Sequence, residues 1–175
     1  MEHSTYQEGD LILYGGTGVC RITRISTDGP EKGKPYYTLK PLYQDCDIYT
    51  PLNGKVFDRP IISREEAERL IDLIPTIQAH PCHSRVIREL AEHYQTSLES
   101  HQCEDLVEMT MSIYAKKQWA EEQKRKFGAV DQRFLKRAED LLFGELAAAL
   151  DIPRNDVQAY IAQRISGQKE NEPTL

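Results

Sequence analysis

Two groups of residues place ligand or nucleophile types close together: a glycine-rich link, Gly15-Gly16-Thr17-Gly18, and the cluster His80-Pro81-Cys82-His83, with His101 and Cys103 further along. A phosphate cradle needs a helix directly after its glycines, so that successive N–H groups converge on the anion, and a Lys with Ser or Thr beside it. Here the glycines lead into Val19-Cys20-Arg21-Ile22-Thr23, an alternating and partly β-branched run that predicts a strand. The link is therefore read as the turn of a hairpin. Structural zinc takes about four ligands in a tetrahedron, usually paired at short fixed spacing. The histidines and cysteines match no such pair, so no metal and no other cofactor is expected, and the four cysteines are read as reduced and mostly buried thiols. No serine or cysteine has a histidine and an acid at a recognisable spacing, and the carboxylates of 65–72 fall on the polar side of an amphipathic segment. An enzyme is not expected.

The remaining chemistry is ionic. The chain of 175 residues has a formal net charge of −6, yet residues 116–137 hold eight lysines and arginines against three acids. These are Lys116, Lys117, Lys124, Arg125, Lys126, Arg133, Lys136 and Arg137. Clustered cations attract phosphate and release its counterions, which gives affinity for nucleic acid that falls with salt. The same residues also fit a solvated helix face paired with Glu121, Glu122 and Asp131.

The elements that position these residues change character along the chain. Leu11–Tyr14 and the run from Val19 predict the first two strands; in strict alternation Val19, Arg21, Thr23 and Ile25 share one side, and Cys20, Ile22 and Arg24 the other. Strands are expected at Tyr36–Leu39 and 47–50, with Pro51 marking a strand end or edge, and a further short one near 52–57. Four or five short strands suggest a small barrel. At Pro60 the period switches. Ser63-Arg64-Glu65-Glu66 is a capping-box pattern, so a helix starts there and Pro75 stops it. Further helices are predicted at 84–94, 103–126, 130–150 and 155–165, before a polar tail, 167–175, expected to be disordered. The fold class is thus α+β in two domains: a β domain over 1–60 and an all-α helical bundle over 63–166. No apolar run approaches membrane-spanning length and the start lacks a signal-peptide pattern, so the expected location is cytoplasmic.

Gly9-Asp10, the apolar run closed by Tyr14, Gly18 and Val19-Cys20-Arg21-Ile22, then Tyr37-Thr38-Leu39-Lys40 and Ile48-Tyr49-Thr50-Pro51, resemble the N-terminal domain of the CarD/CdnL family of bacterial transcription regulators, a domain shared with the transcription-repair coupling factor. Arg133-Phe134-Leu135-Lys136-Arg137-Ala138 and Leu141 to Ala147 are similar to that family's helical DNA-binding domain, and the resemblance spans about residues 6 to 150. It implies a Tudor-like, SH3-like antiparallel β-barrel that binds the β subunit of RNA polymerase at its β lobe, and helices that touch promoter double-stranded DNA upstream of the melted region. It also implies a role in stabilising the open complex, and nucleoid association through the polymerase. No P-loop motif is present, so the motor of the coupling factor is not expected.

Carried onto this chain, the resemblance gives polymerase contact to Arg24, Ile48, Tyr49 and Pro51. Where some members carry arginine, this chain has Asp28 and Tyr49, and barrel packing is the other reading of Ile48 and Tyr49. The DNA-binding candidates are His83, Arg85, Arg88, Lys124, Arg125, Lys126, Arg133, Lys136 and Arg137. His83 stands where the family has a tryptophan that wedges into the minor groove. A histidine at a helix start is equally read as a plain exposed residue, and Trp119, the only tryptophan, is assigned to interhelix packing. A protein-only interaction adaptor, with no direct DNA contact, is the alternative function.

Overall fold

The computed structural model describes residues 6–170. They form two units that divide between Ile62 and Ser63.

The first unit is a five-stranded antiparallel sheet: β1 (Leu11–Tyr14), β2 (Gly18–Ser26), β3 (Tyr36–Pro41), β4 (Ile48–Pro51) and β5 (Asp58–Pro60), in the order β4-β3-β2-β1-β5. β4 and β5 are its edges, and the ladder is open rather than the closed barrel expected. The glycine link is the β1–β2 turn: Tyr14 faces Gly18, the Thr17 N–H donates to the Tyr14 carbonyl at 3.0 Å, and Gly15 and Gly18 take φ of 46° and 93°. A Cβ on Gly15 would lie 2.9 Å from Val56 Cγ1, so the turn is closed to side chains there.

Strict alternation fails in β2. Ile22 faces Leu39 and Arg24 faces Thr38, which leaves Thr23 as the extra residue of a β-bulge; its hydroxyl donates to the Thr38 carbonyl at 3.1 Å. The bulge corrects the expected grouping. Arg24 turns out to solvent instead of following Cys20 and Ile22 inward, and Ile25, opposite Tyr37, joins the core of Tyr6, Ile12, Cys20, Ile22, Tyr37 and Leu39. The Tyr6 hydroxyl donates to Asp58 Oδ1 at 2.6 Å and ties the start of the described chain to β5. Burial, and then that carboxylate, push its pKa up.

The second unit is helical: α1 (Arg64–Leu73), α2 (Ile87–Glu99), α3 (Cys103–Glu122), α4 (Ala129–Leu150) and α5 (Val157–Glu170). The capping box forms: the Glu66 N–H donates to Ser63 Oγ at 3.1 Å and the Ser63 N–H to Glu66 Oε2 at 2.8 Å. α2 starts three residues later than predicted because the Ser84 hydroxyl holds a turn, accepting the Val86 N–H at 3.2 Å and donating to Glu89 Oε2 at 3.0 Å. Leu90, Tyr94 and Leu98 therefore form its buried face, while Val86 and Ile87 lie exposed.

α3 ends at Glu122, short of the predicted 126. Lys124 takes the left-handed conformation (φ 52°), the Lys124 N–H donates to the Glu121 carbonyl at 3.0 Å and the Arg125 N–H to the Ala120 carbonyl at 2.8 Å. This is a Schellman cap with lysine in place of the usual glycine. α5 continues through Glu170, past the predicted end at 165 and into the stretch read as tail; residues 171–175 lie outside those described. It is held to α1 by Arg164, which donates to Asp72 through Nε at 2.6 Å and Nη2 at 2.9 Å, and by the Tyr160 hydroxyl, which donates to Glu68 at 3.1 Å. Among the described residues no helix is long and apolar enough to cross a membrane.

Candidate functional site

In the β unit the four docking candidates divide by strand register. Arg24, Thr38 and Tyr49 are partners in successive strands and form one row across β2, β3 and β4. Arg24 and Tyr49 are exposed on this outer row, Tyr49 at 58%. The adjacent row, Ile22–Leu39–Ile48, faces the core, so Ile48 packs against the cluster inside while its neighbour Tyr49 points away. Pro51 is exposed at the end of β4. The Arg24 guanidinium donates to Asp28 at 3.2 Å, but both side chains are largely exposed, and surface pairs of this kind contribute about 0–1 kcal/mol. The row thus combines a large aromatic, a proline and a weakly engaged arginine on the outer edge of a sheet. That chemistry suits a protein partner, because an edge strand offers unpaired backbone groups and the row offers specificity.

In the helical unit the basic residues have unlike environments. Lys116 is withdrawn from the surface: its Nζ lies 2.8 Å from Asp131 Oδ1, with 14% of its side chain exposed. Arg88 pairs with Glu92 at 2.9 Å and Lys136 with Asp140 at 3.1 Å, both as exposed i,i+4 pairs. Lys117 sits over the Phe127 ring and Arg133 over the Phe134 ring, at 6.0 and 5.1 Å. Arg85, Lys124, Lys126 and Arg137 are exposed and make no ion pair among the described residues.

His83, Trp119 and Arg125 come together. The His83 ring meets the indole edge-on at a centroid distance of 4.9 Å, and the Arg125 guanidinium lies 5.5 Å from the same indole. Trp119 is 40% exposed, so it is not the interhelix packing residue the sequence suggested. The Schellman cap folds Arg125 back over the last turn of α3, where Trp119 sits. With Val86 and Ile87 exposed beside His83 and Arg85 in sequence, this corner offers aromatic and apolar surface flanked by cations.

The histidine–cysteine cluster disperses. His83 stacks on Trp119, the Cys103 thiol donates to the fully buried Glu145 Oε2 at 3.1 Å, and among the described residues no group of three or more His, Cys, Asp and Glu is arranged to hold a metal. All four cysteines are free; Cys20 and Cys103 are buried, Cys82 is half-buried and Cys46 is exposed, against the reading of mostly buried thiols. Burial pushes the Cys20 thiol up to about 11, with Cys46 adding to the shift, so it stays protonated and inert. A cleft of about 620 Å³ between α3, α4 and α5 has Met111, Leu142 and Ile161 in its walls and none of the thirteen candidate residues.

Comparison with known proteins adds one finding. No curated protein matches the chain. Residues 6–55 match the CarD-like/TRCF RID domain, a span that includes β1 to β4 and stops before β5. This is an RNA polymerase-interacting domain, so the exposed Arg24–Tyr49 row lies inside a module of the transcription machinery. Residues 6–55 thus carry a domain of the CarD-like/TRCF RID type.

Proposed function

We propose that the protein is a non-enzymatic bacterial transcription regulator that docks on the β subunit of RNA polymerase through its sheet and touches promoter DNA through its helices. The observation that carries the reading is the match of residues 6–55 to an RNA polymerase-interacting domain, joined to an outward row of Arg24 and Tyr49 beside an edge strand. The β1–β4 sheet, bent at Thr23, is read as the open form of a Tudor-like barrel. The helical unit supplies four uncommitted cations and the His83–Trp119–Arg125 stack, which suit phosphate backbone and base faces respectively. Such contacts carry little sequence information, so the DNA contact is general rather than sequence-specific. A protein that binds the open complex more tightly than the closed one shifts that equilibrium by its differential affinity, and this is the proposed mechanism. The reading places it in the cytoplasm, on polymerase at the nucleoid.

The test is interferometry of the intact chain on the isolated polymerase β lobe, with Tyr49→Ala as the interface variant. Ile48→Ala is unsuitable because Ile48 packs on the core. Binding that Tyr49→Ala loses supports docking through this row. No binding at micromolar concentration sinks it. A second reading, the protein-only adaptor, draws on the loss of Lys116 to a buried pair and the net charge of −6. Absence of salt-dependent duplex binding by the intact chain selects it.

A further inference from the structure

The candidate DNA residues of the helical unit lie on three separate segments: the turn before α2 and its first turn (His83, Arg85, Arg88), the loop after α3 (Lys124, Arg125, Lys126) and the first turns of α4 (Arg133, Lys136, Arg137). One residue from each of these helices meets in a single buried network. Asp131 of α4 accepts hydrogen bonds at Oδ1 from the Tyr94 hydroxyl of α2 at 2.6 Å and from Lys116 Nζ of α3 at 2.8 Å. Asp131 is 4% exposed and Tyr94 2%.

The network touches the surface above it in three places. Lys116 precedes Trp119 by one turn of α3, so a shift of one moves the other. A Cβ on Gly128 would lie 2.9 Å from Asp131 Oδ2, which puts the carboxylate against the last residue of the basic loop. The Tyr94 ring packs on Phe134 at 5.3 Å, beside Arg133. Buried ion pairs commonly stabilise no better than apolar residues of the same volume, whereas their hydrogen bonds are directional and specify one arrangement.

We infer that Tyr94, Asp131 and Lys116 are positioning residues that hold the three cationic segments, and the His83–Trp119–Arg125 stack, in one arrangement ready for DNA. The inference rests on the DNA reading above and deepens it. Lys116 on this account acts through Asp131 and does not touch phosphate.

The sign of one substitution separates this from ordinary electrostatics. Asp131→Asn removes an acid from a basic face, and charge alone then tightens DNA binding. Loss of positioning weakens it. The experiment titrates labelled duplex DNA with the intact chain and its Asp131→Asn, Tyr94→Phe and Lys116→Met variants at several salt concentrations. Thermal melting and acrylamide quenching of Trp119 are measured on the same samples. Each variant is expected to weaken binding about ten-fold, with an unchanged salt slope and a more accessible Trp119 at temperatures where helix content is intact. Unchanged or tighter binding by folded Asp131→Asn overturns the inference, as does a salt slope that falls by about one in Lys116→Met, the mark of a lost phosphate contact. If Asp131→Asn does not fold, Tyr94→Phe, which removes one hydroxyl and leaves the ion pair, decides by the same criteria. If the wild type binds no DNA, the DNA reading fails separately; Trp119 accessibility then decides, increased in Tyr94→Phe in support and unchanged against.

Discussion

The two units build their exposed faces by different means. In the sheet, backbone register decides: Ile48 and Tyr49 are neighbours in β4, and the two-residue period sends one to the core and the other out. In the helical unit, side chains decide. Arg125 and His83 meet at Trp119, next to the left-handed Lys124 that ends α3, and a buried Tyr94–Asp131–Lys116 network joins three helices. The sheet face is therefore robust to changes in its exposed residues, and the helical face is sensitive to changes beneath it.

The largest expected effect comes from alkali. Burial, and then the neighbouring carboxylate, push up the Tyr94 hydroxyl through Asp131 and the Tyr114 hydroxyl through Glu139; Tyr6 in the sheet unit is raised the same way by Asp58. A group raised above its unfolded value of 10.0 contributes stability that is complete below that pH and declines as pH rises past it. The helical unit has Tyr94 and Tyr114 raised in this way and the sheet unit Tyr6 and, from a lower ordinary value of 9.0, Cys20, so both units are expected to lose stability in alkali, and Tyr94→Phe to move the onset of helix loss upward while the sheet's onset stays in place. An onset in that variant that stays put, or that moves alike for both units in far-UV and near-UV circular dichroism, would break the contrast.

Next in size, Ile48→Ala is expected to destabilise the sheet unit by about 2 kcal/mol, and Tyr49→Ala to change stability by less than about 0.5 kcal/mol. Denaturant titration of both checks it, and equal costs would mean that register does not divide the strand. A smaller effect of opposite sign is expected from Lys124→Gly. Relief of a left-handed lysine stabilises by about 1 kcal/mol, while DNA binding weakens through the lost cation. A melting temperature that falls would show that Lys124 is held there by contacts worth more than the strain. The smallest effect is acidic. The Arg164 guanidinium holds the Asp72 carboxyl below its ordinary value, so its contribution is present above about pH 3.8 and is lost as pH falls further. Both side chains are about one-third exposed, which screens the pair, and hydrogen exchange confined to α1 and α5 is the readout.

Much of this was legible in the chain. The capping box at Ser63, the hairpin at Gly15–Gly18 and the switch from strand to helix after Pro60 are local, because each depends on residues within a few positions whose backbone preferences agree. The family resemblance of residues 6–55 was likewise readable from motif order. What the sequence left open was set by contacts distant in the chain. No propensity marks Thr23 as a bulge; the register against Thr38, fifteen residues on, does so by giving Ile25 a place in the core. Lys116 counts as a surface cation until Asp131 and Tyr94 are seen to bury it. Trp119 reads as packing until His83, thirty-six positions earlier, is found edge-on to its ring and Arg125 over it. Periodicity specifies which side of an element is apolar, whereas the fate of a single polar or aromatic side chain depends on which partner the tertiary fold brings within hydrogen-bonding or stacking distance.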